Sequence, residues 1–275
     1  MKNILIPFDF SEVAENALVY TISLFENIEV TFHLLYVYES SPSELLSDEY
    51  NDNWFGQIDD SVEVELKQYV RKLNKNKSEK HKFLDIVHSD TLAYSIQYVL
   101  KVEPIDLIIS GTKGATDRSD IFITTKTLGI IKRIQECPII VVPFDYDFIA
   151  VKKVILSTNF KQVISPRQLQ HILNICILHG ACLEVVNLTE QHFLGLNQKE
   201  NKKSLEVFLS SFYHCFKKID WLDSESKTLM NYMKSSEGQL LCLINHKNNF
   251  FIRFLEENII KKVNFYSSVP LMILQ

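Results

Sequence analysis

The chain has 275 residues, 46% hydrophobic and 23% charged, with a net charge of -5 and mean hydropathy near zero. That length suits one large domain or two of about 100–150 residues, and the composition suits a packed globular core. Net negative charge argues against a broad nucleic-acid footprint, and no apolar run reaches the roughly 18 residues that a membrane span needs.

In chain order, residues 3–7 (NILIP) read as a short apolar strand. Asp9 and Ser11 follow as helix-start signals, with Glu12 three residues after Asp9, and Val13, Ala17, Tyr20 and Leu24 then mark one helix face. Residues 30–37 (VTFHLLYV) form a second strand. Residues 40–56 are polar and read as a loop or partly helical excursion. Val62, Leu66, Tyr69 and Leu73 give a longer helix that ends in lysine-rich 75–80. Residues 83–87 form a third strand. Thr91 opens a helix carrying Leu92, Ile96, Val99 and Leu100, which Pro104 stops.

The stretch 106–142 organises the rest: a buried strand (106–110), a glycine-containing loop, a helix with Leu128, Ile131 and Ile134, and a second buried strand (138–142). A strand, loop and helix N-terminus in this order make an anion-binding geometry, because loop amides and the positive end of the helix dipole point the same way. Gly111 and Gly114 permit positive φ or close backbone approach. Neither the Walker A spacing nor the dinucleotide fingerprint is present.

After residue 150 the pattern restarts. Residues 154–157 (VILS) match 4–7 and 270–274 (PLMIL) match 138–142, so the offset falls from 150 to 132 and the second copy is shorter. Within it, Leu169, Ile172, Leu173 and Cys176 mark a helix and 183–187 a strand; Leu205, Phe208, Phe212 and Phe216 mark the next helix and 219–222 a third strand. Leu229–Met233 falls in a third helix, 240–244 is a strand, and Phe251, Leu255 and Ile259 mark a fourth helix. The fold class is α/β: two repeated doubly wound domains, 1–147 and 148–275, with parallel sheets and right-handed crossovers.

IPFDFSEVAENAL (6–18), the SGTKGA loop (110–115) and CPIIVVP (137–143) resemble a universal stress protein domain, and the whole chain resembles a tandem member with a degenerate second domain. Gly111-x2-Gly114, nine residues, then Thr124-Thr125 is similar to that family's nucleotide loop, with Thr124 standing at the third glycine position. The resemblance implies a five-stranded sheet of order 3-2-1-4-5 in each half, with a ligand where loops after strands 1 and 4 meet at the switch point. It implies that Asp9 holds a ribose hydroxyl, that Pro7 and Phe8 line an adenine pocket, and that the backbone of Val37 meets the adenine edge. Ser110, Gly111, Lys113 and Gly114 would border ribose and phosphates, and Thr124, Thr125 and Lys126 would stand at the phosphate end. The ligand implied is ATP or a related adenine nucleotide, with no metal beyond nucleotide-associated Mg. Thr124, Asp117 and Asp120 work against phosphate at that loop. In the second half, Asn159 replaces the aspartate and 244–249 (INHKNN) replaces the glycine loop.

The opening ten residues do not read as a secretory signal, since Asp9 breaks their apolar run, and five irregularly spaced cysteines point to the cytoplasm. Cys176, His179 and Cys182 read as core residues rather than zinc ligands. No positioned base, arginine finger or Walker-type aspartate is evident, so the expectation is a non-enzyme. Two function classes follow: a nucleotide-responsive stress regulator, and an interaction module with both sites lost. Partners expected are an adenine nucleotide and unspecified proteins, with no nucleic acid and no membrane. The resemblance implies pairing of the two halves along their last strands, 138–142 and 270–274, as an intramolecular pseudo-dimer, with a further homodimer also open.

Overall fold

The computed structural model describes residues 2–38, 52–76, 78–112, 114–115, 118–121, 125–187, 194–222, 225–245 and 269–275. The first half runs β1 (Asn3–Pro7), α1 (Glu12–Leu24), β2 (Val30–Tyr38), α2 (Asp52–Asn76), β3 (His81–Ser89), α3 (Leu92–Val102), β4 (Leu107–Thr112), β5 (Gly114–Ala115), β6 (Arg118–Ile121), α4 (Thr125–Arg133) and β7 (Ile139–Pro143). The second runs β8 (Lys153–Thr158), α5 (Pro166–His179), β9 (Cys182–Asn187), α6 (Leu196–Leu209), β10 (His214–Lys218), α7 (Glu225–Ser236), β11 (Leu240–Ile244) and β12 (Leu271–Leu274).

Local chemistry explains the helix starts. Ser11 caps α1 by accepting from Ala14 N at 3.2 Å, and Glu12 and Glu15 in the first turn suit the positive end of the helix dipole. Ser165 and Gln168 form a reciprocal capping box on α5, with Pro166 just inside it, and Gly180 ends the helix in the left-handed conformation at φ 61°. The helix predicted across Leu205, Phe208, Phe212 and Phe216 instead stops at Leu209. Phe212 lies in the turn and Phe216 in strand β10, so the strand expected at 219–222 sits a few residues earlier. Apolar i, i+4 spacing continued past the true helix end, and pairing with β9 decided the matter. Asp106, expected to open a strand, instead accepts from the backbone N–H of Lys2 and Asn3 at 2.6 and 3.1 Å and holds the entry to β1. The fourth helix expected at 251–259 and most of the polar excursion after residue 40 lie outside the described residues; α2 already begins at Asp52.

The main sheet has ten strands in the order β10-β9-β8-β11-β12-β7-β4-β1-β2-β3. Each half has the expected 3-2-1-4-5 arrangement. Neighbours within each half are parallel, while β12 and β7 pair antiparallel: Leu271 with Val141, Met272 with Ile140 and Ile273 with Ile139. The last strands of the two copies therefore join them into one sheet. Helices cover both faces, so the central strands are buried on both sides and read as nearly unbroken apolar runs. One core layer carries Ile4, Ile6, Phe32, Leu34, Ile140, Leu156 and Met272; the opposite layer carries Leu5, Leu35, Ile108, Ile139, Ile155 and Ile273. Both layers cross the seam. The Tyr20 ring meets Tyr146 and Phe148 of the connector at 5.9 and 5.7 Å, and His179 Nε2 lies 2.9 Å from the Leu24 carbonyl oxygen at the end of α1.

The outer edge of β3 is partly closed by a side chain. Asn74, in the last turn of α2, accepts from Phe83 N at 3.0 Å and donates to Phe83 O at 2.8 Å, standing in for a neighbouring strand. Replacing Asn74 with alanine should lower stability by about 1–2 kcal/mol, because water can recover part of what the amide supplied. Urea unfolding monitored by circular dichroism measures it; an unchanged midpoint would show that the clamp contributes nothing.

Candidate functional site

At the carboxyl ends of β1, β2 and β4, strand alternation sorts the expected site residues between the two faces of the sheet. Pro7 follows Leu5 on the face that α3 and α4 cover, Val37 packs into the core of that face, and Ser110 is buried beside Ile108 on it. These three come together. Phe8 does not join them. It is 2% exposed on the opposite face, where its ring meets Tyr69 of α2 at 5.0 Å and Phe10 at 5.2 Å. Phe8 is therefore an anchor of the other core layer and not a wall of the same pocket as Pro7.

Asp9 stands exposed just beyond β1. Its Oδ1 accepts from Ser11 N at 3.1 Å and from the Ser11 hydroxyl, which in turn caps α1. Its Oδ2 has no hydrogen-bond partner among the described residues. The Tyr36 phenol at the end of β2 has its pKa raised, by burial first and then by the charges of Asp9 and Glu65. Tyr36 alternates with Val37 and so lies on the face of Phe8, where its ring meets Phe10 at 6.0 Å, and not on the face of Pro7 and Val37.

Gly111 has a packing reason that can be measured. A Cβ there would lie 2.4 Å from the Val13 carbonyl oxygen and 2.7 Å from Val13 Cγ1, so α1 crosses β4 where only glycine fits. Close approach by a helix, not positive φ, makes this glycine necessary. Gly114 lies in β5, which pairs antiparallel with β6 through Gly114–Ile121 and Ala115–Arg118. A small hairpin thus stands between β4 and α4, where the sequence suggested an open phosphate loop. Thr125 and Lys126 open α4 as expected. Lys113 and Thr124 lie outside the described residues.

The second half repeats the backbone of the first without its chemistry. Phe160 and Phe10, 150 positions apart, both have positive φ, at 56° and 59°. Asn159 Oδ1 accepts from Lys161 N at 3.0 Å, just as Asp9 accepts from Ser11 N. Such a conformation costs an L-residue about 1–2 kcal/mol; its recurrence at both copies marks it as a property of the duplicated turn. In the second half this loop is tied inward. Asn187 donates to Thr158 O at 3.0 Å, Gln198 to Asn159 O at 2.7 Å and Asn201 to Phe160 O at 2.9 Å. Three consecutive carbonyls are thereby held by amide side chains, and an uncharged asparagine replaces the carboxylate.

The residues that would hold a nucleotide divide accordingly. The nucleoside portion fits: a small apolar wall (Pro7, Val37), a buried hydroxyl (Ser110) and an exposed carboxylate with one unoccupied oxygen surround the switch point. At the phosphate portion, Gly111 is already required by α1 and Gly114 belongs to the hairpin.

The profile of the Universal stress protein family matches residues 1–143. Among solved structures, the chain is similar to a universal stress protein from Archaeoglobus fulgidus DSM 4304, at 15% identity over 99% of this chain and 98% of that one, with a TM-score of 0.72. It is also similar to a putative universal stress protein from Pseudomonas aeruginosa UCBPP-PA14, at 11% identity over 100% and 93%, with a TM-score of 0.60. At these identities the likeness is one of fold, and it runs through both halves. A search among curated proteins returns no match. With a family match over more than half its length and the strand order 3-2-1-4-5 in each half of its one main sheet, the chain belongs to the universal stress protein family.

Proposed function

We propose that this stress-response protein binds an adenine nucleotide in its first half only, at the carboxyl ends of β1 and β4, and acts in the cytoplasm by binding rather than catalysis. The observation that carries this is the difference between the two copies of one turn. Asp9 presents a free carboxylate oxygen to solvent, whereas the matching loop of the second half is drawn inward by Asn187, Gln198 and Asn201. A carboxylate is the natural partner of two ribose hydroxyls, and a charge-assisted hydrogen bond of this kind contributes more than a neutral one. The second half serves as the structural partner that closes the sheet along β7.

The hairpin β5–β6 and the helix-packing role of Gly111 favour a second reading, an interaction module without nucleotide. Calorimetry decides between them. Asp9→Ala should weaken adenosine and ATP binding about tenfold or more, the loss of about 1.5–3 kcal/mol. Asn159→Ala should leave both unchanged. Equal losses for the two variants would refute the assignment. A wild-type protein that binds neither ligand at millimolar concentration would make the interaction module the better account.

A further inference from the structure

The two copies of the turn after the first strand differ in where the following helix is capped, and that difference acts on the carboxylate of Asp9. In the first copy Asp9, Phe10 and Ser11 lead straight into α1 at Glu12. Phe10, at φ 59°, folds the chain back so that Ser11 N meets Asp9 Oδ1 at 3.1 Å, and its ring is held by Phe8 and Tyr69 at 5.2 and 5.9 Å. The Ser11 hydroxyl donates to the same Oδ1 and accepts from Ala14 N at 3.2 Å. A line of hydrogen bonds therefore runs from the first turn of α1 through one hydroxyl to the carboxylate. In the second copy the helix begins later, at Pro166. Its cap, Ser165, accepts from Gln168 N at 3.3 Å and donates to Gln168 Oε1 at 2.9 Å, while Asn159 Oδ1 accepts from Lys161 N at 3.0 Å. There the cap and the turn are separate.

On the basis of the nucleotide reading above, we propose that Ser11 is the positioning residue of the first-half site. An exposed carboxylate on a turn rotates about two side-chain torsions, and a ligand that uses it must first immobilise it. Ser11 N–H and O–H together occupy both acceptor directions of Asp9 Oδ1, which fixes the group and leaves Oδ2 for a ligand hydroxyl. The Ser11 hydroxyl has a single proton, and the Ala14 N–H on its oxygen directs that proton to Asp9. Hydrogen bonds in series strengthen one another, so the helix start and the carboxylate act as a unit. That unit has a firm base: α1 packs on Gly111 through Val13, and Asn16 Nδ2 donates to Pro143 O at 2.9 Å. The carboxylate is thus set for its partner before the partner arrives.

Calorimetry with adenosine on the full chain tests the role through a double-mutant cycle. Ser11→Gly keeps most of the cap, since glycine is tolerated at that position, but removes the hydroxyl. It should weaken adenosine about three- to tenfold when Asp9 is present and leave the residual affinity of Asp9→Ala unchanged. Ser11→Thr, which retains the hydroxyl, should bind as wild type does. The role is overturned if Ser11→Gly binds adenosine as tightly as wild type, or if its loss is the same in both backgrounds, as a cap alone would give. The contact is also read without ligand: Ser11→Gly should lower Tm by about 1–3 °C more in wild type than in Asp9→Ala. Equal Tm losses in the two backgrounds would overturn the positioning role. A Tm difference in a wild type that binds no adenosine would instead overturn the nucleotide reading, so the two failures are told apart.

Discussion

Gly111→Ala is expected to destabilise the protein by about 3 kcal/mol without any ligand present, lowering Tm by about 6–12 °C. The added Cβ would meet the Val13 carbonyl oxygen at 2.4 Å, and a backbone atom in the first turn of a capped helix cannot swing aside as a side-chain tip can. Either α1 lifts from β4, opening the core layer that contains Ala14, Ala17 and Leu18, or β4 shifts against β1 and β7. Gly129 in α4 supplies the control. Nothing lies within 4 Å of the Cβ it would gain, so Gly129→Ala should stabilise by about 0.5–1 kcal/mol through helix propensity alone. Denaturant unfolding of both variants checks the pair. Similar stability in Gly111→Ala and wild type would mean that α1 does not constrain this glycine, and a role toward phosphate would regain its force.

The second large effect concerns a charge inside the second half. Glu184, in the middle of β9, is 2% exposed, yet its carboxylate accepts from the Tyr232 hydroxyl and from Lys217 Nζ at 2.9 Å, with the Cys215 thiol at 3.6 Å. Burial works to raise its pKa, but the hydrogen bonds from Tyr232 and Lys217 and the charges of Lys217 and Lys153 outweigh it, and the net shift is downward. Glu184→Ala should cost about 2–3 kcal/mol. That is below the 3–5 kcal/mol typical of a broken buried pair, because the half-exposed Lys217 ammonium can return to water. The sign of the pH dependence follows from the lowered pKa. A carboxylate that is more acidic folded than unfolded contributes stability above its unfolded value of about 4.3, and that contribution fades as pH falls through the folded value. The stability gap between wild type and Glu184→Gln should therefore be widest near neutrality and narrow below about pH 4. A gap that stayed constant with pH would show that packing, not ionisation, sets the role of Glu184.

The same cluster shows why one strand was misplaced by pattern alone. β10 (HCFKK) is an edge strand with few apolar residues, so its periodicity is weak, and the apolar spacing of Phe208, Phe212 and Phe216 suggests a helix that continues too far. Register pairing places Cys215 opposite Glu184, and the polar contacts of Glu184 with Lys217 hold the strand there. Those partners lie some 30 residues away in the chain.

The sequence by itself determined the duplication and the α/β class, and its resemblance to the family implied the strand order of both halves. Strands buried on both faces must be short apolar runs, helices between them must carry one apolar stripe, and right-handed crossovers leave few ways to connect the two. The family resemblance, carried to the matched endings at 138–142 and 270–274, also implied the two strands that pair across the seam. The tertiary structure decided what each position does. It separated Phe8 from Pro7 by strand alternation and assigned Gly111 to the passage of α1. It also turned the second copy's loop inward through Gln198 and Asn201. Hydrophobic periodicity reports how each element faces the core, which is local and repeats along the chain. Close approach and hydrogen-bond satisfaction depend on atoms brought together from distant segments, and no local pattern encodes them.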